Sequence, residues 1–260
     1  MEQNWRDPMA VFLFCGGFVA SCLSEYYCGV DSKNCPIDWA GVYGASAKYH
    51  VGHCSAAESN SGLGDPMLSV SSLFLVIPLL YFTLTGPLFT PVASAYVGIA
   101  SFLFHAANTK TTHILDFIGV CVLSPAILGD IICWKGYNKA GTLIFVLLVT
   151  ATILLRLLVK DTFPTKQIVL NRYIYIGQPI LTGIILFVGY KWKLLKKMWL
   201  GTFFLIGGSA TLIAANNYGT FWSCVHTQLI EPHFWGHLIV ALGATLFCRT
   251  IYRNEGYQKL

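Results

Sequence analysis

The chain has 260 residues, of which 55% are hydrophobic and 11% charged, with a mean hydropathy of +0.60. Soluble domains carry about 25% charged residues, so this composition excludes an ordinary soluble domain and indicates a polytopic membrane protein whose surroundings are the lipid bilayer. The net charge of +5 does not indicate nucleic acid as a partner, because the basic residues are spread between apolar stretches, where they orient membrane proteins.

The first apolar stretch, residues 9–23, is about as long as the hydrophobic region of a signal peptide. The residues before it include Glu2, Arg6 and Asp7, so the positive region that normally opens a signal peptide is missing. Residues 1–24 are therefore either a cleaved signal peptide or a retained N-terminal anchor.

The next segment, residues 25–66, is polar and rich in Gly and Ser. Its cysteines, Cys28, Cys35 and Cys54, and Cys224 of a later polar segment can form disulfides if these segments face an oxidising compartment. The pairing cannot be read from the sequence alone.

Seven apolar stretches follow, and they predict an all-α protein in which residues 67–250 form a seven-transmembrane helix bundle. Several are shorter than the ~20 residues of a perpendicular span. Short connections predict that the first three helices are antiparallel neighbours. The stretches are 69–84, 91–106, 112–134, 141–159, 173–190, 198–215 and 233–249.

The distribution of Lys and Arg orients this bundle, because cytosolic loops carry the excess of positive charge. The side that holds the C-terminal tail, residues 251–260, has nine basic residues, against six on the other side. We therefore expect a cytosolic tail and a luminal or extracellular segment 25–66. This fits an endomembrane (endoplasmic reticulum or Golgi) or plasma-membrane protein.

Four ionisable residues lie in or at the ends of these stretches: His105, Asp116, His233 and His237. Such residues are costly at membrane depth and usually pair, bind a metal or serve transport. With helices alternating in direction, they fall at the non-cytosolic side and can meet. His233 and His237 share a helix face, as do Ser101 and His105, because each pair is four residues apart.

Three histidines can hold Zn²⁺ with an open fourth position, the arrangement of catalytic zinc sites. Asp116 can then hold a water molecule and move its proton to the leaving group, while Ser101 can donate to the oxyanion. Taken singly, each histidine is more often an interfacial residue and Ser101 a packing residue. It is their joint placement that favours a metal site.

Two motifs carry a family resemblance. Ser101-Phe-Leu-Phe-His105 is followed by Asp116, and the last stretch contains His233-Phe-Trp-Gly-His237. These motifs resemble the alkaline ceramidase family of seven-helix hydrolases. That family belongs to a wider group with GPI-anchor lipid-remodelling hydrolases and the progestin and adiponectin receptors.

The resemblance implies a zinc-dependent amidase that cleaves the N-acyl bond of ceramide, a membrane lipid substrate, to sphingosine and a fatty acid. It implies zinc ligands at His105, His233 and His237. It also implies that Asp116 and Ser101 position the water and stabilise the transition state. Trp235, between the two histidines of the last motif, and Gly243, six residues after the second, resemble the ceramidase pattern more than that of the other branches.

One departure from the family concerns calcium. Many ceramidases carry an acidic stretch before the first helix that helps to bind Ca²⁺, whereas here Asp38-Trp39 lacks the acidic residues that should follow. Glu58, Asn60 and Asp65 offer oxygen ligands for a rearranged calcium site. A solvated polar loop is the competing interpretation.

Two alternative functions keep the same residues. One is a luminal ester hydrolase that remodels GPI-anchor or glycerolipid acyl chains. The other is a receptor with a structural zinc ion, similar to the progestin and adiponectin receptors, in which the segment before the first helix is cytosolic.

Overall fold

The computed structural model describes residues 6–24, 66–81, 88–107, 110–158, 180–217 and 232–253, and every regular element within these ranges is helical. This confirms the predicted all-α class. The helices are α1 (Arg6–Ser24), α2 (Pro66–Ser72, continued by a 3₁₀ segment, Leu73–Tyr81), α3 (Phe89–Ala107), α4 (Lys110–Trp134), α5 (Asn138–Leu158), α6 (Ile180–Lys191), α7 (Leu195–Asn217) and α8 (Pro232–Arg253).

Within the described residues, a helix overlaps each of the seven predicted stretches. Four helices are long and apolar enough to cross a bilayer, which indicates a multi-pass membrane protein, and a count of seven spans stays a prediction. These four segments are Arg6–Leu23, Phe89–Ala106, Ile114–Trp134 and His233–Tyr252. Shorter apolar helices cover Met67–Tyr81, Asn138–Leu154 and Ile180–Lys191.

Helices α7 and α8 pack unusually closely because glycines lie between them. A Cβ atom on Gly208 would come within 2.6 Å of the backbone nitrogen of Val240, and one on Gly243 within 2.6 Å of that of Leu205. Small residues at helix interfaces in membranes let backbones approach in this way. The contact fixes the rotation of α8, and with it the direction in which the histidines of α8 point.

The N-terminal helix α1 packs against α2 and the 3₁₀ segment. Phe14 stacks on Phe74 with ring centroids 5.5 Å apart, and Phe18 contacts the ring of Phe234 on α8 at 5.9 Å. Gly17 lies directly against Phe74, where a side chain would collide with the ring. Most of α1 is nevertheless exposed, so this helix lies at the edge of the bundle.

One end of the bundle, which we call the tail face, is marked by three helix ends. Asp7 in the first turn of α1 forms an ion pair with Arg249 near the end of α8, with Oδ2 and Nη2 3.2 Å apart. Tyr81, the last residue of the 3₁₀ segment, donates its hydroxyl proton to Asp7 Oδ1 at 2.8 Å. The end of α1 at Ser24 and the start of α2 at Pro66 border the segment between these helices. Both therefore lie at the opposite end of the bundle, which we call the site face.

A fully buried carboxylate joins three helices near the tail face. Asp130 on α4 accepts a hydrogen bond from the backbone nitrogen of Thr90 and another from the hydroxyl of Tyr252 on α8, both at 2.7 Å. Thr90 lies in the first turn of α3, where backbone N–H groups have no partner within their own helix. Asp130 thus caps a neighbouring helix, a role that its position in the sequence did not reveal.

The outer surface of the bundle is apolar where α5, α6 and α7 face away from the core. Exposed apolar patches of this extent mark membrane contact in a helical protein of this composition. The exposed side chains include Leu143, Leu147, Ile180, Phe187, Trp199 and Phe203.

Candidate metal centre

Three histidines meet inside the bundle at the site face. His105 lies in the last turn of α3, and His233 and His237 occupy the first two turns of α8. All three are buried, and one nitrogen from each ring lies within 4.8 Å of the others. The prediction that these three histidines can meet at one end of the bundle is confirmed.

The distances within the cluster suit coordination to one ion. The Nε2 atoms of His233 and His237 are 3.2 Å apart. Two nitrogens bound tetrahedrally to zinc at 2.0–2.1 Å would be separated by roughly 3.3 Å. The ring of His105 closes the group, with its centroid 5.0 Å from that of His233 and 5.4 Å from that of His237.

The donor set also restricts which ion fits. Neutral imidazole nitrogens suit zinc, copper, iron or nickel, whereas magnesium and calcium prefer oxygen. The His233 ring is nearly perpendicular to the other two, at 86° and 87°, and the rings of His105 and His237 are inclined at 64°, so the three rings approach the centre from different directions. The residues present therefore fit a transition-metal ion with three protein ligands.

Two serines on α2 reach the far side of one of these rings. Ser71 Oγ lies 3.0 Å from Nδ1 of His237, and Ser72 Oγ lies 3.4 Å from the same atom. Sequence reasoning missed both serines, because no spacing relates them to the histidine motifs. Ser69, Ser71 and Ser72 are all fully buried. This concentration of serines at the start of an apolar helix was the one available signal.

The Asp116 side chain on α4 is hydrogen-bonded to α3, one turn before His105. Ser101, one turn before His105 and also buried, donates a hydrogen bond to the Asp116 carboxylate. The Oδ1 atom of Asp116 is buried and accepts no hydrogen bond from the described residues. Burial of a carboxylate oxygen that accepts no hydrogen bond costs free energy unless another polar group donates to it.

The remaining candidate residues are less informative. Cys121, Cys133 and Cys248 are buried, as expected of small packing residues. The proposed calcium ligands Glu58, Asn60 and Asp65 lie outside the described residues. The same is true of the cysteines of the polar segments, Cys28, Cys35, Cys54 and Cys224.

Comparison of the chain with protein families, with curated proteins and with solved structures finds no match. The resemblance to alkaline ceramidases therefore rests on the two motifs alone, and no family is assigned. What stands independently of any resemblance is a helical, membrane-type bundle with a buried group of three histidines that could hold a metal ion.

Proposed function

We propose that the protein is a membrane-embedded, zinc-dependent hydrolase that cleaves the amide bond of ceramide or a closely related lipid. The observation that carries this proposal is the buried cluster of His105, His233 and His237, whose nitrogens converge on one position. Zinc bound there would lower the pKa of a water molecule towards 7 and polarise the carbonyl group under attack.

The neighbouring carboxylate supplies the proton chemistry. Asp116 accepts a proton from the attacking water and delivers it to the nitrogen of the leaving amine. Its buried Oδ1 atom is available for that water, since it accepts no hydrogen bond from the described residues. A general acid–base group of this kind needs a fixed position within hydrogen-bonding reach of the reacting atoms.

Ser101 holds the Asp116 carboxylate in such a fixed position. Its hydroxyl proton is directed at the Asp116 carboxylate, so the residue orients the carboxylate. The oxyanion role expected from the sequence would require this proton to move to the substrate during the reaction. We therefore assign orientation of Asp116 as the resting role of Ser101.

The choice of a lipid amide combines the surroundings with the motif resemblance. The cluster lies in a bundle whose outer helices expose large apolar side chains, so a substrate with long acyl chains can approach from the bilayer. The motifs around His105 and His237 resemble those of ceramidases, which implies an N-acyl bond. The product would be a sphingoid base and a free fatty acid.

The test uses full-length protein purified in detergent, with zinc measured by mass spectrometry and hydrolysis followed on a ceramide substrate. His237→Ala should lose both the bound zinc and the activity, because two imidazoles do not retain the ion. Thr245→Ala is the matched control. Thr245 is a buried residue two turns further along α8 whose hydroxyl donates to the Ala241 carbonyl of the same helix at 2.7 Å.

Product analysis makes the result decisive. Release of a sphingoid base supports amide cleavage, whereas a lysolipid product from an acyl ester would replace it with the ester-hydrolase function. Ceramide hydrolysis by zinc-free His237→Ala protein would refute the metal-dependent mechanism altogether.

A further inference from the structure

We propose that Ser71 is a positioning residue that holds His237 in the tautomer whose proton is on Nδ1, so that the lone pair of Nε2 faces the metal position. The inference rests on the proposed metal site. It adds a residue from α2 to a centre otherwise built from α3, α4 and α8.

The directions of the hydrogen bonds around the Ser71 hydroxyl bear on which nitrogen of His237 is protonated. The Ser71 hydroxyl lies 3.0 Å from the backbone carbonyl oxygen of Leu68. A carbonyl oxygen can only accept, and we assign the single hydroxyl proton to this contact, as in a helix whose Ser side chain bonds back to its own backbone. The Ser71 oxygen then faces Nδ1 of His237, at 3.0 Å, with its lone pairs. In this assignment the proton of the contact with Nδ1 comes from the imidazole.

Ser72 repeats the arrangement and strengthens it. Its hydroxyl donates to the same Leu68 carbonyl at 2.8 Å, and its oxygen lies 3.4 Å from His237 Nδ1. Two acceptors therefore face one ring nitrogen, and Ser71 makes the shorter contact. Both serines are fully buried.

The tautomer decides which nitrogen can bind a metal. A neutral imidazole has one N–H and one lone pair, and the atom that carries the lone pair is the ligand. With the proton on Nδ1, the lone pair lies on Nε2, the atom that faces Nε2 of His233 at 3.2 Å. Partners of this kind orient metal-binding histidines, and their loss typically lowers metal affinity about 10- to 100-fold.

The first experiment measures the tautomer itself in metal-free, full-length protein. Nitrogen-15 NMR of protein labelled on histidine distinguishes a protonated from an unprotonated ring nitrogen, and the His237→Gln spectrum identifies the His237 signals. We expect protonated Nδ1 and unprotonated Nε2 on His237. The opposite tautomer in the wild-type protein overturns the inference.

The second experiment measures zinc affinity by competition with a chelator of known affinity. Ser71→Ala should bind zinc about 10- to 100-fold more weakly, and Ser71→Thr, which keeps the hydroxyl, should restore most of the affinity. Ser94→Ala is the matched control. Ser94 is also buried and donates to a carbonyl of the 3₁₀ segment, that of Leu75 at 2.6 Å.

The two proposals fail in different ways. If wild-type and Ser71→Ala proteins bind zinc equally tightly, the role of Ser71 is refuted while the metal site stands. If the wild-type protein binds no zinc, the proposed function is refuted, and the NMR measurement still decides the tautomer of His237.

Discussion

At the scale of single residues, Asp116 allows metal binding to be tested separately from catalysis in the proposed hydrolase. The three histidines could hold a metal ion without Asp116. The hydrogen bond of Asp116 is with Ser101 on the neighbouring helix. A residue that moves a proton without holding the ion should affect the rate and spare the zinc content.

We therefore expect Asp116→Asn to retain zinc and to lose about 10²- to 10⁴-fold in turnover, the usual contribution of a general acid–base group. Asparagine keeps the size of the side chain and can still accept the Ser101 proton, but it cannot take up a proton from water. Zinc content and kcat measured on the same preparation check this. Loss of zinc in step with activity would make Asp116 a ligand instead.

At the scale of helices, glycines bring the backbones of α7 and α8 close together, and neighbouring glycines on α7 allow a matched test. Gly207 has open space around its Cβ position, whereas a Cβ on Gly208 would meet the backbone of Val240. A backbone neighbour cannot rotate out of the way as a side chain does.

Gly208→Ala should therefore destabilise the protein by about 1–3 kcal/mol, the usual cost of overpacking. It should also weaken zinc binding, since displacement of α8 moves two of the three ligands. Gly207→Ala should be neutral or slightly stabilising, because alanine favours a helix by about 0.5–1 kcal/mol over glycine. Thermal unfolding in detergent compares the two. Equal effects would contradict the proposed packing constraint.

The contacts of α1 bear on whether this helix is retained. Asp7 pairs with Arg249, and Phe14 and Gly17 fit against Phe74. A signal peptide that is removed would leave these surfaces of the bundle uncovered.

We therefore expect α1 to remain in the mature protein as an anchor. Intact mass measurement of protein purified from its natural membrane should give a mass that includes residues 1–24. A mature N-terminus after Ser24 would contradict this and restore the signal-peptide interpretation.

At the scale of the whole molecule, helix direction fixes which segments share a side. Both helix ends that border residues 25–65 point to the site face, whereas α8 ends at the tail face. The charge distribution of the sequence predicts a cytosolic tail. The segment and the histidine cluster should therefore lie near the non-cytosolic side.

This topology can be tested with introduced glycosylation acceptors. The chain contains no Asn-x-Ser/Thr acceptor of its own, so a single acceptor placed within residues 25–65, or in the tail after Arg253, reports on its own location. We expect a glycan on the segment and none on the tail. The reverse pattern would favour the receptor-type orientation.

Local patterns in the sequence suffice to predict where the helices lie and which histidines meet. Apolar stretches located the helices, because burial in lipid requires continuous apolar runs, and alternation of direction brought His105 near His233 and His237. The same patterns could not identify Ser71 or the capping role of Asp130. Both depend on which helix ends become neighbours in space, and hydropathy carries no information about that.

The division of the proposed metal ligands between α3 and α8 has a consequence for biosynthesis. A ribosome-bound chain that has not yet reached Pro232 possesses only one of the three imidazoles. Ion capture at the proposed site must therefore wait until α8 has entered the bilayer and docked on α7. Metal loading would then come late in assembly, and it would mark the molecules whose helices had docked correctly.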